Sequence, residues 1–198
     1  MKRLLKWLTC AILFVILILG TYVAYLQLTG NIHTVIPGEV YRSGQLSPAQ
    51  LQKVIDQDHL KAIIDLAPND PAHAAELAVS QQNQVQHYDL QLYAYTYPSG
   101  NDLQQLNTLL QTAPRPFLVH CHGGSDRTGL AAAMVLAATP GYSDFAIKMQ
   151  YSFLYLAIKP SSIGKQVMGR YFTYLQQNNL DSSPARFKAW LKRETSQS

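Results

Sequence analysis

The apolar and polar positions divide the chain into one long unpatterned apolar run and a series of short patterned segments. Trp7 to Leu28 is apolar on every face rather than along one stripe. A bilayer core is crossed by about 20 such residues in a helix. Lys2, Arg3 and Lys6 precede the run, and no further charge appears until Glu39. Tyr22 and Tyr25 stand near its far end, where aromatic side chains favour the membrane interface. The pattern predicts a transmembrane helix within 1–28, with the membrane as partner through residues 7–28. Tyr22 stands where a signal-peptide cleavage site would want a small residue, so the expected anchor is uncleaved. The basic cluster belongs on the cytoplasmic side, which predicts a single-pass protein with its domain on the non-cytoplasmic side.

Beyond the anchor the pattern becomes periodic. Residues 29–38 read as a linker and 39–198 as one domain, opening with a strand in EVYRSG. Ser47, Pro48 and Gln50 have the spacing of a capped helix start, with a helix running to Asp58. LKAIIDLA is a short continuous apolar run, as in a strand buried on both faces. Asp70-Pro71 repeats the start signal for a helix through Gln82. VQHYDLQLYAY alternates loosely and predicts a strand whose tyrosines pack on the sheet. YPSGN breaks it, and Asp102–Leu110 reads as helix. PRPFLVH predicts a strand, RTGLAAAMVLAA a helix, and TPGYS its end. From Asp144 to Arg193 the chain reads as helical throughout, with Ser183-Pro184 opening a last helix that carries Phe187, Trp190 and Leu191 on one face. No internal repeat or low-complexity segment is present. Strands alternating with helices predict an α/β fold, a central mostly parallel sheet flanked by helices.

Charge narrows the partners. Three of the 16 basic residues lie in the anchor, leaving 13 against 12 acidic ones. That near-neutral balance excludes a nucleic-acid-binding surface as the main function. Cys10 lies in the anchor and Cys121 in the domain, so no disulfide framework is expected.

The stretch HCHGGSDRTG, residues 120–129, carries the chemistry. It follows the apolar FLV, and α/β folds place their sites at the carboxyl ends of central strands. Five residues separate Cys121 from Arg127-Thr128. A glycine-containing loop of this length entering a helix can turn its amides inward as an anion nest. His122, Gly123, Gly124, Ser125, Asp126 and Arg127 would line it. Such surroundings bring a cysteine from about 8.5 to roughly 3.5–7.5. The planar fork of Arg127 matches two phosphate oxygens, and the Thr128 hydroxyl can donate to the sulfur. Against this stands the plain reading of Cys121 as a small buried hydrophobe. His120 and His122 around one cysteine lack zinc-site spacings, so no metal and no cofactor is expected. His120 is expected to orient the loop, and Arg42 and Asp65 to be structural ion-pair partners.

These residues resemble the signature of the cysteine-dependent protein tyrosine and dual-specificity phosphatases. VYRSGQLS, AIIDL, PFLVHC and DRTG are similar to bacterial members, and the resemblance covers about 37–160. It implies a phosphotyrosine phosphatase-like fold and a phosphomonoester hydrolase acting on a phosphorylated substrate. It also implies a phosphocysteine intermediate on Cys121, phosphate binding by Arg127, assistance from Thr128, and an aspartate as general acid. Three aspartates compete. Asp126, inside the loop, resembles the DRT arrangement of myotubularin-type and some bacterial phosphatases. Asp102 lies in a loop that could be mobile, with a helix cap as its competing role. Asp89 has a suitable separation from Cys121 but falls in a predicted strand. The expected order is Asp126, Asp102, Asp89. A phosphoinositide or small-molecule phosphatase on the same loop is the alternative, although His122 and Ser125 stand where some phosphoinositide-directed relatives have lysines. A rhodanese-like sulfurtransferase would have a shorter loop. An arsenate reductase would carry more cysteines, with the motif near the start of the domain. A non-catalytic module would be expected to have lost Cys121 or Arg127.

Overall fold

The computed structural model describes residues 2–69 and 71–197. Its first element is a single helix, α1 (Lys2–Thr29). It is long and apolar enough to cross a membrane, and its most apolar 18-residue window is buried nowhere by the rest of the chain. Only its last turns meet the domain: Leu26 is buried, and the Tyr22 hydroxyl donates to the Leu154 carbonyl at 2.6 Å.

The segment expected as a linker carries a strand, β1 (His33–Ile36), paired antiparallel with β2 (Val40–Ser43). Val35 and Ile36 enter the core, and Gly38 at φ 73° turns the chain back. The β-branched run followed by Pro-Gly was the available signal. The domain therefore begins before residue 39.

The middle of the chain follows its local signals closely in places. Helix α2 (Pro48–Asp58) starts with the capping box expected at Ser47 and Gln50. Strand β3 (Ala62–Asp65) is buried along its length. Helix α3 (His73–Gln82) begins two residues after Pro71, with no side-chain cap at Ala72; Asp70, expected as the cap, lies outside the described residues. Strand β4 (Gln86–Asp89) is far shorter than the predicted run. After Asp89 the amides of Leu90 and Leu92 donate to the Asp65 and Leu66 carbonyls, and both leucines turn into the core. Tyr93 and Tyr95 are exposed rather than packed on the sheet.

Helix α4 (Gly100–Thr112), strand β5 (Phe117–His120) and helix α5 (Asp126–Ala138) follow. The last third is not continuously helical. Helix α6 (Asp144–Met149) gives way to a 3₁₀ turn (Phe153–Tyr155), with Leu156 in the left-handed region at φ 65°. Pro160 precedes α7 (Ile163–Gln177), and α8 (Pro184–Gln197) closes the chain. Phe187, Trp190 and Leu191 are buried as expected, with both aromatic rings 5.2 Å from that of Tyr171.

The sheet order is β1-β2-β5-β3-β4, parallel except for β1. One face packs on α4, α5, α7 and α8, and the other on α2 and α3. The fold class matches the expectation. Strand β5, the central one, delivers residues 121–125 at its carboxyl end.

Candidate active site

Cys121 is 2% exposed at the end of β5, and the loop after it runs directly into α5. The loop closes tightly because Gly124 sits at φ 68° against β2. A Cβ there would lie 2.5 Å from the Gly44 nitrogen. The Gln45 amide donates to the His122 carbonyl at 3.0 Å, pinning the other side. This approach accounts for both glycines, Gly44 and Gly124.

The electrostatics favour a thiolate. Burial by itself would push the Cys121 thiol up. The positive charge of Arg127, the Thr128 hydroxyl and the amides of Thr128 and Gly124 directed at the sulfur together outweigh it. The net result lies below the usual thiol value. The Thr128 hydroxyl also lies 3.4 Å from the Ser43 carbonyl. That is long for an O–H···O bond, so the sulfur is the better acceptor.

Arg127 is held by one nitrogen. Its Nη1 donates to the Leu92 carbonyl at 3.1 Å and reaches the Leu66 carbonyl at 3.5 Å. Its Nε is buried without a protein partner, leaving that edge of the fork for a ligand. Asp126, the first residue of α5, likewise has a buried Oδ1 with no partner. His122 is exposed, and the Ser125 hydroxyl turns back onto the Gly123 carbonyl at 3.2 Å. Cys121, Arg127, Asp126 and Thr128 are thus brought together. Asp102 stands elsewhere, at the start of α4. Its Oδ2 accepts the Ser99 amide at 3.1 Å in a capping box, the competing role foreseen for it. Asp89 ends β4, two strands from β5.

Several supports of the loop escape sequence reasoning. Arg42 is fully buried and makes no ion pair with Asp65. Its guanidinium donates to the Gly124 carbonyl at 2.8 Å and to the Gln150 carbonyl and side chain at 2.6 and 3.0 Å. It also lies 3.9 Å over the Tyr155 ring. Burial lowers it to about 10, against the opposing pull of Tyr155 and Cys121. Asp65 instead accepts the Ala67 amide at 2.7 Å and faces His73 at 3.2 Å. The expected pairing fails because Arg42 serves main-chain oxygens under the loop. Asn31, just past α1, donates to the Gly123 carbonyl at 3.0 Å. His120 is caged by Glu76, whose Oε1 lies 2.8 Å from its Nε2. Burial alone would lower His120, but Glu76 holds it above its ordinary value.

This arrangement can hold a tetrahedral dianion above a sulfur nucleophile. Comparison with known proteins bears on which reaction that serves. The core catalytic domain of the PP-IP phosphatase Siw14 from S. cerevisiae, in complex with citrate, superposes with a TM-score of 0.58 at 18% identity. The superposition covers 75% of this chain and 93% of that one. P. aeruginosa TpbA superposes with a TM-score of 0.50 at 23% identity, covering 61% and 71%. Tk-PTP in its active form does so at 0.53 and 18%, covering 74% and 96%. At such identities these relatives speak to the fold. The search of curated proteins gives no match. A family model described as the tyrosine phosphatase family matches residues 23–162. Because that match runs from the last turns of α1 through the whole loop and its supports, it decides between phosphoryl and sulfur transfer: the chain belongs to the tyrosine phosphatase family and is a phosphatase of the cysteine-based type.

Proposed function

We propose that the protein is a membrane-anchored protein tyrosine or dual-specificity phosphatase, with Cys121 as nucleophile. The observation that carries this reading is the buried thiol held below its usual value by Arg127 and the loop amides. The substrate phosphate sits on the amides of 122–126 and on the free edge of Arg127. Cys121 Sγ attacks phosphorus, the ester P–O bond breaks, and the leaving oxygen takes a proton from Asp126. Water then attacks the phosphocysteine, giving its proton back to Asp126. The departing thiolate is stabilised by the Thr128 hydroxyl. Asp126 is preferred over Asp102 and Asp89 for this role because its buried Oδ1 has no protein partner, whereas the Asp102 carboxylate is engaged in its helix cap. A cysteine-to-serine form of TpbA has been captured in complex with pTyr, which supports phosphotyrosine as the first substrate to test.

A second reading, a membrane-borne phosphate such as a phosphoinositide, is favoured by one observation. The hydrogen bond from Asn31 ties the loop to the end of the anchor helix. Exposed Phe153 and Ile158 flank Leu154, which meets Tyr22 of that helix. The anchor spans the bilayer in this reading as in the first, with the domain on the non-cytoplasmic side.

The deciding experiment uses the full chain in detergent, measuring phosphate release from an aryl phosphate, a phosphotyrosine peptide and phosphoinositide vesicles. Turnover of the peptide well above the lipid supports the first reading, and the reverse supports the second. Release from none of them contradicts both.

A further inference from the structure

A second cluster occupies the same carboxyl edge of the sheet. Asp65 pairs in register with His120 on one side and with Asp89 on the other. On β4, His87 and Asp89 are two residues apart and so share a face. On α3, which packs over that face, His73 and Glu76 are three apart and also lie together. The result is a convergence of two imidazoles on one carboxylate. His73 Nε2 lies 3.4 Å from Asp89 Oδ2, and His87 Nδ1 lies 3.3 Å from Asp89 Oδ1. One ligand atom from each of the three residues falls within 4.8 Å of the others. Tetrahedral bonds of about 2.0–2.1 Å put neighbouring ligand atoms roughly 3.3–3.4 Å apart.

The rings are set from behind by buried carboxylates. His73 Nδ1 faces Asp65 Oδ2 at 3.2 Å, and His87 Nε2 faces Glu76 Oε1 at 2.7 Å. Both acids are almost wholly buried. Each acid lies beside one ring nitrogen, and the other nitrogen of each ring faces Asp89. Carboxylate-backed imidazoles are the usual outer shell of a bound metal. Independent of this arrangement, the His87 side chain is only 7% exposed, and its Nδ1 is buried without a hydrogen-bond partner.

We propose that His73, His87 and Asp89 bind a divalent cation of the zinc class, at a site separate from the phosphatase centre. Two imidazoles and one carboxylate suit zinc better than magnesium or calcium, which prefer all-oxygen shells. Asp89 is exposed and His73 partly so, and solvent completes the coordination. The neighbouring trio Glu76, His87 and His120 is not the site. Both of its ring nitrogens lie 2.7–2.8 Å from one Glu76 oxygen, hydrogen-bond lengths that leave no room for an ion. Glu76 instead bridges the cation site to His120, the residue before Cys121.

The test uses the full chain in detergent with Cys10→Ser and Cys121→Ser, which removes both thiols as competing ligands. Zn²⁺ is titrated against a chromophoric chelator, and Co²⁺ is followed by visible absorption. The expected result is one tightly held equivalent, with a tetrahedral cobalt spectrum lacking sulfur charge transfer. Asp89→Asn at an exposed position and His73→Gln at a partly exposed one should weaken Zn²⁺ at least tenfold while circular dichroism stays unchanged. Asp65→Asn, acting through His73, should weaken it about 10–100-fold. Affinity unchanged in Asp89→Asn and His73→Gln overturns the proposal. So does the absence of stoichiometric zinc with His87 protonated on both nitrogens by NMR, since a proton would then occupy the place assigned to the cation.

Discussion

Helices α1 and α5 are both apolar around their full circumference, yet they meet opposite surroundings. In α5, every residue from Thr128 to Ala137 is buried. In α1, only Leu26 is. Side-chain size separates them. Gly129, Ala131, Ala132, Ala133 and Ala137 let the neighbouring chain come close, and a Cβ on Gly129 would lie 2.9 Å from the Gln150 carbonyl oxygen. Helix α1 presents Leu, Ile, Phe and Val instead, bulky groups with no facing protein surface. An all-round apolar helix needs an apolar surround. The domain supplies it for α5, whereas α1 is long and apolar enough to cross a membrane and is left uncovered by the domain.

The comparison breaks hardest at Ala132. Ala132→Asp places an unpaired charge at a fully buried position, and the expected outcome is loss of the folded domain by circular dichroism. Leu17→Asp, at the matching kind of position in α1, should leave the domain's melting midpoint unchanged. It should cost about 2.5–3.5 kcal/mol of membrane insertion, read as a shift of the chain out of the membrane fraction.

The two cysteines sharpen the same contrast. Cys10 lies on the exposed surface of α1, and Cys121 lies under the start of α5. Because the folded Cys121 value is depressed, its contribution to stability is present above the usual thiol range. That contribution is lost as pH falls through the lowered folded value. Activity should therefore persist below the ordinary thiol range on the acidic side. Arg127→Lys should cut turnover by about 10²-fold or more, because a point charge cannot replace the bidentate fork. It should also move the acidic limb of the pH–rate profile little, since the charge remains.

A smaller effect is expected where α1 touches the loop. Asn31→Ala removes the bond to Gly123, and a typical hydrogen bond contributes about 0.5–1.5 kcal/mol. Turnover should fall roughly two- to tenfold, measured on the aryl phosphate, with membrane partition unchanged.

These regions also differ in how legible they were. The long apolar helix, the capping box at Ser47 and Gln50, and the loop from Cys121 to Thr128 are contiguous signals, written in neighbouring residues. Arg42 contacts Gln150 across 108 positions, Asn31 reaches Gly123 across 92, and Glu76 reaches His120 across 44. No local pattern announces such partners, so Arg42 read as an ion-pair residue and Glu76 was passed over. Strand β1 was hidden because four residues beside a Pro-Gly turn resemble a linker. Strand β4 was overextended because Leu90 and Leu92 keep the alternation while leaving the sheet for the core. The capping role of Asp102, by contrast, was foreseen from its place at the helix start, although Ser99 is the cap itself and Asp102 its partner.

The most direct measurement is a rapid acid quench of the full chain during turnover of an aryl phosphate, followed by mass analysis of the peptide that contains residue 121. The expected result is one phosphoryl group on Cys121, absent in Cys121→Ser, whose phosphate release is abolished. Unchanged release by Cys121→Ser, or a phosphoryl group on any other residue, would contradict the assignment of Cys121 as nucleophile.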